Sequence, residues 1–219
     1  MLFSDHNGGL MMQPDTAPPQ APYLKDGSDE SMLLKLALDG VESEARAYCY
    51  SVALVLVSRE QERAYLERSR ENPNRRPGAA PRTAWSDWQF LAARSGVLAA
   101  HNLKEGLNSL TARMKGKPDF SAVDHKALKA ARKKIESLFP QARELRDAVS
   151  HPEEYHRDKT DTTGGPGQGT WQNNIFEDTY LATFKGQLLR CPLSKEAAQE
   201  VCQIVRETFG AFSAIAWVL

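Results

Sequence analysis

The sequence predicts an all-α fold: an up-and-down helical bundle of about four to five helices, with a small β-hairpin before the last one. Three observations predict it. Apolar side chains recur at helical spacing over long stretches, and proline- and glycine-rich breaks separate those stretches. Period-two alternation is confined to one short run, Tyr180 to Cys191. No segment of the chain repeats another, so a solenoid is not expected.

The totals bound the function. A chain of 219 residues holds one domain of about 190 residues plus a tail. Twenty-eight basic and 28 acidic side chains cancel, so no global field draws the protein to nucleic acid or membrane, and contact with an anion must come from local patches. Cys49, Cys191 and Cys202 show neither paired metal spacing nor an even disulfide count, which favours a reducing interior, with Cys49 and Cys202 packing as small apolar groups. The N-terminus lacks the charge and apolar pattern of a secretion signal, and no apolar run approaches the roughly 18 residues of a span. A cytoplasmic protein without a membrane partner is expected.

Residues 1–27 carry Pro14, Pro18, Pro19 and Pro22 among small and polar side chains. That composition buries too little apolar surface to offset the entropy of ordering, so it reads as a disordered tail before a helical domain over 28–219. From Asp29 a helical pattern runs to about Glu71, with Val41, Ala45, Tyr48, Val52, Leu56 and Tyr65 as its inward stripe. The loop Asn72 to Arg82, rich in proline and arginine, ends it. Between Arg63 and Arg82 six arginines stand against Glu67 and Glu71, a local charge of +4. Arg75, Arg76 and Arg82 are therefore the expected phosphate contacts.

A second helix is expected from Thr83–Ser86 to about Met114. Ser86 and Gln89 suit a capping box, and Trp88, Leu91, Ala92, Leu98, Ala99, Leu103, Leu107 and Leu110 turn inward. His101, in its middle, reads as a hydrogen-bonded structural residue. Asp119 or Ser121 caps a third helix that turns Val123, Leu128, Ala131, Ile135 and Leu138 inward. Its outer face holds Lys126, Lys129, Arg132, Lys133 and Lys134, a basic stripe of the kind that is most often a solvated face. Pro140 either kinks this helix or opens a new one.

Leu138, Ala142, Leu145 and Val149 continue at helical spacing until Pro152 forbids further helix, which puts His151 in or just after the last turn. The following stretch to Thr170 is polar and glycine-rich. Its GGPGQG lacks the Lys-Ser/Thr ending of a phosphate loop, so it reads as a flexible loop beside the helix end, carrying His156. Tyr180, Ala182 and Phe184 before Lys185-Gly186, and Leu188 after it, predict the hairpin, joined by a short strand at Trp171 to Phe176. Ser194 caps the last helix, which turns Val201, Val205, Phe209, Phe212 and Ala216 inward. The apolar end Ala214 to Leu219 is expected to pack into the core or a dimer interface.

The run Arg146-Asp147-Ala148-Val149-Ser150-His151 carries the functional reading. Asp147 and His151 are four apart, so on a helix they share a face where the carboxylate can hold one ring nitrogen and set the tautomer. The helix C-terminus favours a protonated imidazole by roughly 0.3 to 1 kcal/mol at an exposed site. A histidine tuned near neutrality, an orienting carboxylate and a fixed cation form a minimal kit for cleaving a phosphodiester without a metal. Metal ligation has little support, because His151 and His156 stand five apart across a proline and no carboxylate pair completes a site.

This run, ending an amphipathic helix and followed by Pro152, resembles the motif of the HEPN superfamily: Arg, a polar residue, a short spacer and His. The resemblance covers residues 40 to 219 in layout and six residues in specific motif. It implies a compact helical bundle, metal-independent cleavage of RNA, and catalytic roles for Arg146 and His151, with Asp147 in the supporting polar position. It further implies a homodimer in which two motifs face one composite cleft. The expected reaction is attack of an RNA 2′-hydroxyl on the adjacent phosphodiester, of toxin or defence type, with His151 moving the proton, Arg146 stabilising the phosphorane and Asp147 orienting His151. Arg75, Arg76, Arg82 and His156 would hold the substrate; no cofactor is called for. An antitoxin or regulatory protein is a further expected partner. The rival reading is a non-catalytic helical bundle that binds a protein or nucleotide, with Arg146 and His151 as a polar network at a helix end.

Overall fold

The computed structural model describes residues 2–4, 10–12, 17–70, 83–150, 174–184 and 187–216. Two long helices, α1 (Asp29–Arg70) and α2 (Ala84–Met114), form the backbone of the molecule. Glu62 accepts from Gln89 Nε2 at 2.7 Å and from Thr83 Oγ1 at 3.1 Å, Ser51 stands against Gly96, and Asn102 Nδ2 reaches Glu44 Oε1 at 3.3 Å. The partner numbers fall on one helix as they rise on the other, so the pair is antiparallel. At Gly96 the two helices approach so closely that an added Cβ would lie 3.0 Å from Leu193 Cδ2 and 3.2 Å from Ser51 Cβ. Only glycine fits there without displacement.

Three shorter helices complete the bundle: α3 (His125–Leu138), α4 (Ala142–Ser150) and α5 (Lys195–Gly210). With five α-helices among the described residues and one small sheet before the last, the fold is the mostly helical bundle expected from the apolar periodicity. Pro140 lies between α3 and α4, so it separates two helices rather than kinking one. Ser194 caps α5 by accepting from Ala197 N at 3.2 Å, and Val201, Val205, Phe209, Phe212 and Ala216 are all buried, as their spacing predicts.

The sheet is β3 (Asn174–Phe176), β4 (Thr179–Phe184) and β5 (Gln187–Pro192), antiparallel in that order. Phe184 stands opposite Gln187, the register the expected hairpin requires, although its Lys185-Gly186 turn lies outside the described residues. The sheet packs on α4 through β4 and β5 and is tied to α1, where Arg59 donates to Glu177 O at 2.7 Å and pairs with Asp178. Tyr48 Oη donates to Pro192 O at 2.5 Å from inside the core.

Several local expectations give way to packing. Thr83, not Ser86, is the N-cap of α2, with Ser86 as the reciprocal partner three residues on. Asp124 caps α3 by accepting from Lys126 N and Ala127 N, while Pro118–Phe120 forms a 3-10 turn ahead of it. Asp119 and Ser121 therefore fall in the lead-in rather than at the cap. Trp88 and Leu91, expected inward, are 50% and 59% exposed, because the first turns of α2 meet α1 through Gln89, which bonds Glu62, and through Ala92, Ala93 and Gly96, whose small side chains allow close contact. Tyr65 is likewise exposed, in the last turns of α1.

The proline-rich N-terminal stretch is not uniform. Leu2–Ser4 and Leu10–Met12 form a short antiparallel pair, β1 and β2. Ala21 is buried with its N–H on Glu42 Oε2 at 2.6 Å, and Leu24 bridges to Ala216 near the other end of the chain. Composition alone does not foresee this docking, which rests on two apolar residues and two backbone contacts. Cys49 and Cys202 are buried 3.7 Å apart between α1 and α5, and their mutual hydrogen bond, with burial, raises the Cys49 thiol far above its ordinary range. Burial alone pushes Cys191 up to about 12. These thiols are packing groups. Among the described residues, no helix is long and apolar enough to cross a membrane.

Candidate active site

Helix α4 presents the Arg146 motif. Ala142, Leu145, Ala148 and Val149 are its buried face, set against α2 and the sheet, so Arg146 and Asp147 are left at the rim. Both side chains are about one-third exposed, and Arg146 Nη1 lies 3.2 Å from Asp147 Oδ1. At that exposure the pair adds at most about 1 kcal/mol of stability, so its location says more about charge placement than about folding. Asp147 thus has Arg146 as an ion-pair partner. His151, which the sequence places one turn further on, lies outside the described residues, as do Arg75, Arg76, Arg82 and His156.

Two residues of α2 join the site that the motif alone does not contain. Arg94 Nη2 donates to Val149 O at 2.9 Å. The last carbonyls of a helix have no partner within it, and a guanidinium meets both that unmet acceptor and the negative end of the helix dipole. Arg94 therefore anchors the final turn of α4 to α2, two residues before His151 in sequence. Gln141, at the other end, accepts from Arg190 N at 3.1 Å and ties the start of α4 to the edge of the sheet. The short helix is held at both ends.

His101 is the second addition. It is buried, and its Nδ1 finds no hydrogen-bond partner among the described residues, so the expectation of a hydrogen-bonded structural histidine does not hold at that atom. Its imidazole is held below the ordinary histidine range, first by burial, then by the Arg146 guanidinium and Lys104, while Glu105 and Asp147 act in the opposite direction. Both charged residues of the motif thus act on the His101 ring. A neutral imidazole, a fixed guanidinium and a carboxylate share one neighbourhood, reached from α2 and α4 together.

Arg94, Leu98, His101 and Glu105 recur at helical spacing on α2, so one stripe carries the anchor, the imidazole and a carboxylate. That recurrence was visible in sequence. What was invisible is that α4, some 45 to 55 residues away, lies against it. Chemically, the group can stabilise added negative charge at Arg146 and accept a proton at a neutral ring nitrogen. Among the described residues, no three His, Cys, Asp or Glu side chains are grouped to hold a metal ion. Comparison of the chain with protein families, with curated proteins and with solved structures finds no match.

Proposed function

We propose that this chain is a metal-independent endoribonuclease of the HEPN type, acting in the cytoplasm as a toxin or defence factor. The observation that carries the reading is the Arg146 to His151 run at the end of a short helix whose terminal carbonyl is anchored by Arg94, with the Arg146 side chain at the solvent rim. In the proposed reaction the RNA 2′-hydroxyl loses its proton to a histidine and its oxygen bonds to phosphorus. The bond from phosphorus to the 5′-oxygen breaks, and that oxygen takes a proton from an acid. The products are a 2′,3′-cyclic phosphate and a 5′-hydroxyl.

Arg146 neutralises the charge that builds on the non-bridging oxygens, His151 transfers a proton, and Asp147 orients His151. One histidine cannot be base and acid in the same step. A homodimer with a composite cleft supplies a second copy of each group. Such an activity in a cell calls for restraint, and a protein that covers the rim around Arg146 would provide it.

The test is cleavage of single-stranded RNA by purified wild type, Arg146→Ala and His151→Ala. Each substitution should lower the rate by about 10² to 10⁴ while leaving the thermal midpoint nearly unchanged, because Arg146 lies at the rim of the bundle. Wild-type cleavage by His151→Ala would overturn the mechanism.

A further inference from the structure

A cleft of about 660 Å³ opens between the end of α2 and the start of α3, and Arg146 is not among its lining residues. Asn108, Thr111 and Met114 line it together with Lys115, Lys117 and Arg132. It therefore offers an apolar patch, neutral hydrogen-bonding groups and three cations. Lys117 is held by Glu30 at 2.6 Å, and Arg132 Nε lies 3.5 Å from Glu136 Oε1. That Nε is nevertheless buried without a hydrogen bond. The Arg132 side chain is about one-third exposed, so the other N–H groups of its guanidinium can meet a bound anion.

Arg132, in the wall of the cleft, adjoins in sequence a row of cations on α3. Lys126, Lys129 and Lys133 are exposed on α3, rising about 4.5 and 6 Å along the helix within roughly a 60° arc. Among the described residues, neither these three nor Lys115 forms an ion pair. The neighbouring acids are committed elsewhere: Asp124 to the cap of α3, Glu30 to Lys117, Glu136 to Arg132 and Glu207 to Lys134. A formally neutral protein thus keeps three uncompensated lysines in one row on α3 and a fourth, Lys115, in the wall of the cleft. Lys115, the C-cap of α2, lies 14 residues beyond His101, about 21 Å by the helical rise.

We propose that this cleft and the lysine row seat the phosphodiester backbone of single-stranded RNA. The proposal rests on the nuclease reading for its choice of polymer, and it assigns the binding of that polymer to residues outside the motif. Regularly spaced phosphates suit a row of unpaired lysines, and the cleft takes one nucleotide at its end.

The test uses full-length protein and a fluorescent single-stranded oligonucleotide of about ten residues, 2′-O-methylated so that no 2′-hydroxyl can attack. Binding is followed by anisotropy across a salt series for wild type, for Lys126→Glu/Lys129→Glu/Lys133→Glu and for Arg146→Ala, with thermal melts confirming that each is folded. The triple variant should bind at least about tenfold more weakly and lose roughly two units of slope of log affinity against log salt, about 0.7 for each phosphate released. Arg146→Ala, which removes a single cation from the catalytic site, should lower that slope by no more than about 0.7. Affinity within twofold of wild type and an unchanged slope in the triple variant would overturn the proposal, as would absence of binding by wild type. If wild type binds through the lysines yet cleaves no unmodified RNA, the nuclease reading fails and this one holds. If the triple variant binds and cleaves as wild type does, the reverse is true. Should the triple variant not fold, Lys115→Glu and Lys129→Glu tested singly must each weaken binding.

Discussion

Removing Arg94 separates what holds the site from what holds the fold. In Arg94→Ala the Val149 carbonyl loses a charged donor at 2.9 Å, and the last turn of α4 loses its tie to α2. Arg94 is exposed as a residue, so the stability at stake is one partly solvated hydrogen bond and its dipole interaction, about 1 kcal/mol together. For a domain of this size that lowers the thermal midpoint by about 2–4 °C. Activity should suffer more. A displacement near 1 Å of groups in the last turn costs about 10²-fold in rate, or about 2.7 kcal/mol of transition-state stabilisation. The assay is single-turnover cleavage of RNA beside a thermal melt, with Arg94→Lys as the variant that keeps a donor and regains part of the rate. A midpoint lowered by 2–4 °C with wild-type cleavage would refute the argument that Arg94 positions the site, leaving it a helix cap only.

Two further outcomes follow from the geometry. The His101 ring should titrate below the ordinary value, and Arg146→Gln should raise it while Asp147→Asn lowers it further, as read by NMR of the imidazole. Because the folded state holds His101 neutral, acid favours the unfolded chain, so this contribution to stability declines as pH falls below about 6.5, and His101→Phe should flatten that part of the curve. No movement of the ring in either charge variant would place it beyond the reach of the motif. Gly96→Val should cost about 1–3 kcal/mol, since Leu193 and Ser51 already stand where its Cβ would go, whereas Gly40→Ala, with open space around it, should stabilise by up to about 1 kcal/mol. Melts in denaturant check both signs.

The long helices and the hairpin were legible because their signals are local and repeated. Asp29 to Arg70 and Ala84 to Met114 carry apolar residues over many turns, and the alternation of Tyr180, Ala182 and Phe184 matches a strand that pairs in the expected register. Caps were less legible, since several residues compete within a few positions. Thr83 outdoes Ser86 because it also reaches Glu62 on α1, a contact from a residue 21 positions away. Trp88 and Leu91 are hydrophobic yet exposed, because the close approach of α2 to α1 at Gly96 selects small residues for the inward face. For the site, the motif supplied Arg146 and Asp147. Arg94 and His101 came only with the packing of α4 on α2, since nothing in their own neighbourhood points to a partner some 45 to 55 residues later.

The central claim is tested most directly by the ends of the RNA fragments that appear when wild type and His151→Ala are expressed under tight induction. The account predicts growth arrest with 2′,3′-cyclic phosphate and 5′-hydroxyl ends in the wild type alone. Intact RNA and equal growth in both, with both proteins folded, would contradict it and favour the binding-module reading of the same helix end.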